Sequence, residues 1–202
     1  MKRNGLFVAA LLAWLPIAVE IASAACPLPV KVEALDAAGR ILDTGSGFVA
    51  LDGRAVITAA HVVADAHSVR IETPDGIRRL ARTADRDVRR DVAVLRLRGR
   101  GLSVEGNPQF RSAQRGDAVD TIGHIPTLGF VMFSNRVRAT NIPSQMGPVI
   151  ETEAPWVAGI SGAPLVTPDC SVVGLASFGT NEPVPHYYAI PSVVITELLH
   201  ED

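Results

Sequence analysis

Cysteine is scarce in this sequence, two residues in 202, and neither a Cys/His cluster nor an H-E-x-x-H spacing occurs. A zinc centre needs three or four such ligands at short spacing. His61, His67, His124 and His186 therefore carry no metal pattern, and neither a metal nor a cofactor is expected. Charge of one sign is also missing: the formal net charge is −2, and −3 once Lys2, Arg3 and Glu20 of the first 24 residues are set aside. That balance argues against nucleic acid as a partner. The stretch richest in arginine, Arg78 to Gly101, interleaves Asp85, Asp87 and Asp91 and alternates in "VLRLRGR" as the solvated face of strands does. No apolar run reaches the roughly 20 residues of a membrane-spanning helix, so stable membrane insertion is not expected. Nor is there an internal repeat, a heptad pattern or a low-complexity tract.

What is present begins with the N-terminus. Lys2 and Arg3 precede an apolar run from Leu6 to Val19, broken by Pro16, and Ala22-Ser23-Ala24 supplies small residues for a peptidase. This pattern predicts a secretory signal peptide over residues 1–24, cut after Ala24, and a periplasmic or secreted protein. Cys26 and Cys170 both survive that cut. In an exported chain they read first as a disulfide joining the mature N-terminus to a late loop. The competing reading is a lipid-modified Cys26, although Ser23 stands where such sites carry leucine.

The remaining apolar segments are short and β-branched, among them "GSGFVAL", "AVITAAHVV", "DVAVLRL" and "SVVGLASFG", with turns at Asp52-Gly53, Pro74-Asp75-Gly76 and Pro168-Asp169. Many short strands with such punctuation predict an antiparallel barrel or sandwich. Arg100 to Gln109 is the candidate linker between halves. Only "PSVVITELLHED" reads as a helix, with Ser192 as N-cap and Val193, Ile195, Leu198 and Leu199 on one face.

Three residues in order carry the chemistry. His61 ends "AVITAAH", Asp91 opens "DVAVLRL", and Ser161 lies within "AGISGAP". Separately they read as a half-buried histidine, a strand-end acid and a loop serine. Together they answer a chemical need. A serine hydroxyl attacks at neutral pH only if an imidazole takes its proton, and a carboxylate on the other ring nitrogen fixes the tautomer. Backbone N–H groups must also face the developing oxyanion, and the glycines around Ser161 permit that.

"VITAAHVV", "DVAVLRL" and "GISGAP" resemble the signature segments of the chymotrypsin-like (trypsin-like) serine proteases. "GSGFVALDGRAVITAAHVV", "GDAVDTIGHIP", "VIETEAPWVAGISGAPLV" and "HYYAIPS" are closer still to the bacterial Deg-type, high-temperature-requirement proteases, over roughly residues 40–195. The resemblance implies an all-β fold of two six-stranded antiparallel barrels, about residues 30–105 and 106–195, with a short C-terminal helix and the site between the barrels. It implies a serine endopeptidase with His61 as base, Asp91 as its orienting carboxylate, Ser161 as nucleophile, and the N–H groups of Gly159 and Ser161 as oxyanion hole. Ser177, Phe178 and Gly179 would pair as a strand with the backbone of a protein or peptide substrate, and Ser177 would also lie near Asp91. The PDZ domain that the family appends is not expected within these residues.

Two features depart from the pattern. Ile160 stands where relatives carry Asp or Asn, so the loop cannot be held by an acid paired with a new N-terminal amine. An intact triad implies activity; a collapsed oxyanion hole would make the chain a scaffold that binds extended peptides without cutting them. Pro155 stands where trypsin-like relatives carry an acid, so Lys/Arg cleavage is disfavoured. Pro155 and Trp156 on one side, with Phe178, His186 and Tyr187 on the other, predict a pocket for a modest apolar side chain.

Overall fold

The computed structural model describes residues 26–153 and 156–200. The predicted signal peptide over residues 1–24, and Pro155, lie outside the described residues. Six strands, β1 (Pro29–Leu35), β2 (Ile41–Ala50), β3 (Ala55–Thr58), β4 (Ser68–Glu72), β5 (Arg78–Asp87) and β6 (Val92–Leu97), close into a barrel in the order β1-β2-β3-β6-β5-β4. Six more, β7 (Ala118–Ile125), β8 (Gly129–Ile142), β9 (Val149–Thr152), β10 (Pro164–Val166), β11 (Val172–Gly179) and β12 (Tyr187–Pro191), close in the order β10-β11-β12-β9-β8-β7. A helix, α1 (Ser192–His200), follows. This is the expected architecture of two six-stranded antiparallel barrels and a short C-terminal helix.

The period-2 pattern drives closure. On β7, Val119, Thr121, Gly123 and Ile125 point inward while the residues between them are partly or fully exposed. The first four residues of β6, "VAVL", are instead buried on both faces, because α1 covers the outer one. Val194, Ile195 and Leu198 of α1 enter a core shared with Val92, Val94 and Leu95. The helix face is thus rotated from the expected one: Val193 is exposed and Val194 buried. Ser192 is buried, and its hydroxyl donates to the Arg111 carbonyl 2.7 Å away, tying the helix start to the segment between the barrels instead of capping it.

The arginine-rich stretch forms β5, the turn after it and β6. Arg90 bonds Asp87 (2.5 Å) and also pairs with Glu197 of α1, bracing the turn that ends at Asp91. The predicted linker lies between the barrels, strapped to the first: Leu102 N–H donates to the Gly53 carbonyl (2.8 Å), and Asn107 bonds Asp52. Cys26 and Cys170 form a disulfide, the first of the two readings for this pair.

Candidate active site

His61, Asp91 and Ser161 come from different segments. His61 opens a 3-10 turn, His61–Val63, directly after β3. Asp91 precedes β6 with φ +59, a left-handed conformation that aspartate tolerates better than most residues. Its carboxylate accepts the His61 main-chain N–H at 2.9 Å and faces His61 Nδ1 at 2.9 and 3.0 Å. One side chain thus fixes both the backbone and the ring of the histidine, leaving Nε2 as the outward-facing nitrogen.

The electrostatics follow from this geometry. The hydrogen bond to Asp91 raises the pKa of His61 above its ordinary value; burial opposes this, and the charges of Asp91 and Asp43 add to the rise. For Asp91, burial pushes upward, but bonding to and the charge of His61, together with the Ser177 hydroxyl, outweigh it and hold the carboxyl below the ordinary value. Asp91 is buried, whereas nearly half of the His61 side chain, 47%, remains exposed. The imidazole can therefore exchange its proton with a substrate while its partner stays dry.

Ser177 joins the two halves of this arrangement. It lies where the β11–β12 register shifts between Ala176 and Phe178, and such irregularities re-aim side chains. Its hydroxyl donates to Asp91 Oδ2, and its carbonyl accepts from Ser161 Oγ at 3.2 Å. No hydrogen bond among the described residues joins Ser161 Oγ to His61, so in this state the hydroxyl is turned toward Ser177.

The loop before β10 has the shape its glycines allow. Gly159 has φ +100 and Gly162 φ +89, and a Cβ on Gly162 would come within 2.1 Å of the Ser46 carbonyl oxygen. Ile160 N–H bonds the Val157 carbonyl (3.1 Å) and Gly162 N–H the Ala176 carbonyl (2.8 Å). The N–H groups of Gly159 and Ser161 donate to no acceptor among the described residues. Ile160 is 2% exposed and packs with Val119, Val137, Ala163 and Leu165 in the second barrel's core. Packing thus anchors this loop.

Beside Ser161 is a cavity of about 190 Å³ lined by Trp156, Val157, Ala158, Ser177, Phe178 and Gly179. Trp156 packs against the core of the second barrel and lies 6.3 Å, ring to ring, from Tyr187. Tyr187 therefore backs this wall without lining the cavity. His186 does not line it either: its Nδ1 is 2.6 Å from Glu151 Oε1, and its ring stacks on Tyr188. Pairing of β11 with β10 ends at Leu175, which leaves Phe178 and Gly179 with a free edge on that side. Among the described residues no group of three His, Cys, Asp or Glu could hold a metal ion. Sequence reasoning missed Ser46, which is fully buried under the loop; its only signal is the "GSG" in "GSGFVAL".

Comparison with known proteins follows the same lines. The family described as "Trypsin-like peptidase domain" matches residues 45–175. The chain is 32% identical over 168 residues to "Serine protease HTRA2, mitochondrial" of Bos taurus, covering 79% of this chain and 36% of that one. It is 34% identical over 140 residues to a "Probable periplasmic serine endoprotease DegP-like" of Ectopseudomonas mendocina (strain ymp), covering 66% and 29%. The crystal structure of a serine endoprotease from Yersinia pestis superposes with a TM-score of 0.75 at 26% identity, covering 88% of this chain and 63% of that one. The chain thus spans about a third of the length of these curated relatives.

Proposed function

We infer activity from membership: this chain belongs to the trypsin-like peptidase domain family, and we propose that it is an exported serine endopeptidase working through His61, Asp91 and Ser161. The observation that carries the reading is the meeting, at one junction, of a carboxylate-bound imidazole, a loop serine and two N–H groups without acceptors. On binding, Ser161 Oγ leaves the Ser177 carbonyl and attacks the scissile carbonyl while His61 Nε2 takes its proton. Asp91 holds Nδ1–H and stabilises the imidazolium. The N–H groups of Gly159 and Ser161 receive the oxyanion. His61 then protonates the leaving amine, and the acyl-enzyme is hydrolysed by water activated by the same imidazole.

The free edge at Phe178 and Gly179 suits an extended substrate backbone, which favours unfolded or flexible protein segments. Trp156, packed into the barrel and backed by Tyr187, walls a cavity of about 190 Å³, and we read this as favouring a modest apolar residue at the cleaved bond. The predicted signal peptide and the periplasmic naming of one relative support a periplasmic or secreted location. Among the described residues no helix is long and apolar enough to cross a membrane. The test is digestion of an alkylated, permanently unfolded protein and of its native counterpart, with sequencing of the cut sites. The unfolded form is cut after modest apolar residues, and Ser161→Ala cuts neither. Equal cutting by the variant would refute the assignment of the nucleophile.

A further inference from the structure

We propose that Ser46, a residue of the first barrel, is the positioning residue of the oxyanion loop, a proposal that rests on the serine endopeptidase reading above. The two residues whose N–H groups face the oxyanion in that reading, Gly159 and Ser161, are the two whose carbonyls Ser46 engages. Its hydroxyl donates to the Gly159 carbonyl at 2.6 Å, and its main-chain N–H donates to the Ser161 carbonyl at 2.8 Å. The direction of the hydroxyl proton is fixed, because the same oxygen accepts the His124 N–H at 2.8 Å and a carbonyl can only accept.

These bonds complete the fixing of two peptide planes. The plane after Gly159 is held at its oxygen by Ser46 Oγ and at its N–H by the Val157 carbonyl. The plane after Ser161 is held at its oxygen by Ser46 N–H and at its N–H by the Ala176 carbonyl. Each oxyanion donor is therefore adjacent to a plane that cannot rotate freely. The surroundings are closed as well. Ser46 is fully buried, and a Cβ on Gly123 would lie 2.6 Å from Ser46 Oγ and 2.7 Å from Ile160 Cδ1. Isoleucine at 160 offers packing but no polar anchor, and the Gly159 and Ser161 carbonyls are held across the barrel junction by Ser46.

The test compares Ser46→Ala with Thr58→Val. Thr58 donates to the Ser46 carbonyl at 2.6 Å, in the same buried cluster, without touching the Gly159 or Ser161 carbonyl. Ser46→Ala lowers kcat, and the rate of acylation by a fluorophosphonate, by about 10- to 100-fold with KM within threefold, because misplacing donors by an ångström has that scale. Thr58→Val lowers Tm and leaves kcat within threefold of wild type. Ser46→Cys keeps a weaker donor at the same atom and ranks between wild type and Ser46→Ala, which preserves the test if the alanine variant does not fold. Wild-type kcat in Ser46→Ala, or equal losses of kcat in the Ser46 and Thr58 variants, overturns the proposal while leaving the endopeptidase reading intact. A wild-type protein that neither cleaves nor reacts overturns both.

Discussion

His61 and Asp91 bind protons in opposite senses, and stability and activity therefore part company with pH. The raised pKa of His61 means that its protonated form stabilises the folded state at and below the ordinary histidine value, a contribution lost as pH rises through the folded value. The lowered pKa of Asp91 gives a contribution present above the ordinary aspartate value and lost as pH falls through the folded one. The pair is thus most stabilising between the ordinary aspartate value and the ordinary histidine value, and each contribution fades from there to the shifted one. In the proposed mechanism catalysis needs the neutral imidazole, so kcat/KM is expected to rise only above that window, with an acid limb above the unperturbed histidine value of about 6.5. Asp91→Asn removes the main cause of the rise: the limb moves to lower pH, and the rate at the plateau falls by roughly 10³- to 10⁴-fold. A pH–rate profile of both proteins checks this, and an unmoved limb would show that Asp91 does not control the base.

At the scale of elements, the loop from Gly159 to Gly162 holds its shape by burying Ile160. Ile160→Val keeps the packing, costs about 0.5–1.5 kcal/mol and leaves kcat within a few-fold. Ile160→Asp puts an unpaired carboxylate into the core among Val119, Val137 and Leu165 and lowers stability by at least about 2 kcal/mol. Urea unfolding of the two variants measures both values, and a neutral Ile160→Asp would show that the loop is held otherwise. Much of this site is legible in the sequence, because its chemistry restricts residue type. Only histidine, an acid and a serine serve, and glycine must follow where the backbone turns against Ser46. Ser46 itself is not legible: one serine in an alternating strand looks like any other, and its hydroxyl partners lie 78 and 113 residues away. The face of α1 is missed for a local reason. Val193 and Val194 are adjacent, and only docking onto β6 decides which turns inward. The pocket likewise depends on how Trp156, in the loop before Ser161, and Tyr187, at the start of β12, pack together.

For the whole molecule, the site exists only while the barrels stay joined: the first contributes His61, Asp91 and Ser46, the second Ser161 and Ser177. The Cys26–Cys170 disulfide links positions 144 residues apart, and Cys170 lies in the turn at the far end of the β10–β11 hairpin from Ser161. On the chain-entropy model such a closure stabilises by up to about 4 to 5 kcal/mol. The double variant Cys26→Ser, Cys170→Ser is therefore expected to lose up to about 4 to 5 kcal/mol in denaturant unfolding, with kcat near wild type at low temperature. A large loss of kcat with unchanged stability would place the bridge in the catalytic machinery instead. That His61 activates Ser161 within a formed oxyanion hole is the core of the proposed mechanism. It is tested most directly by incubating the folded mature protein and Ser161→Ala with a fluorophosphonate and weighing the intact proteins. One adduct is expected on the wild type, formed as the serine oxygen displaces fluoride from phosphorus, and none on the variant. No adduct on the folded wild type across a range of pH would contradict it and leave a scaffold that holds peptides without cutting them.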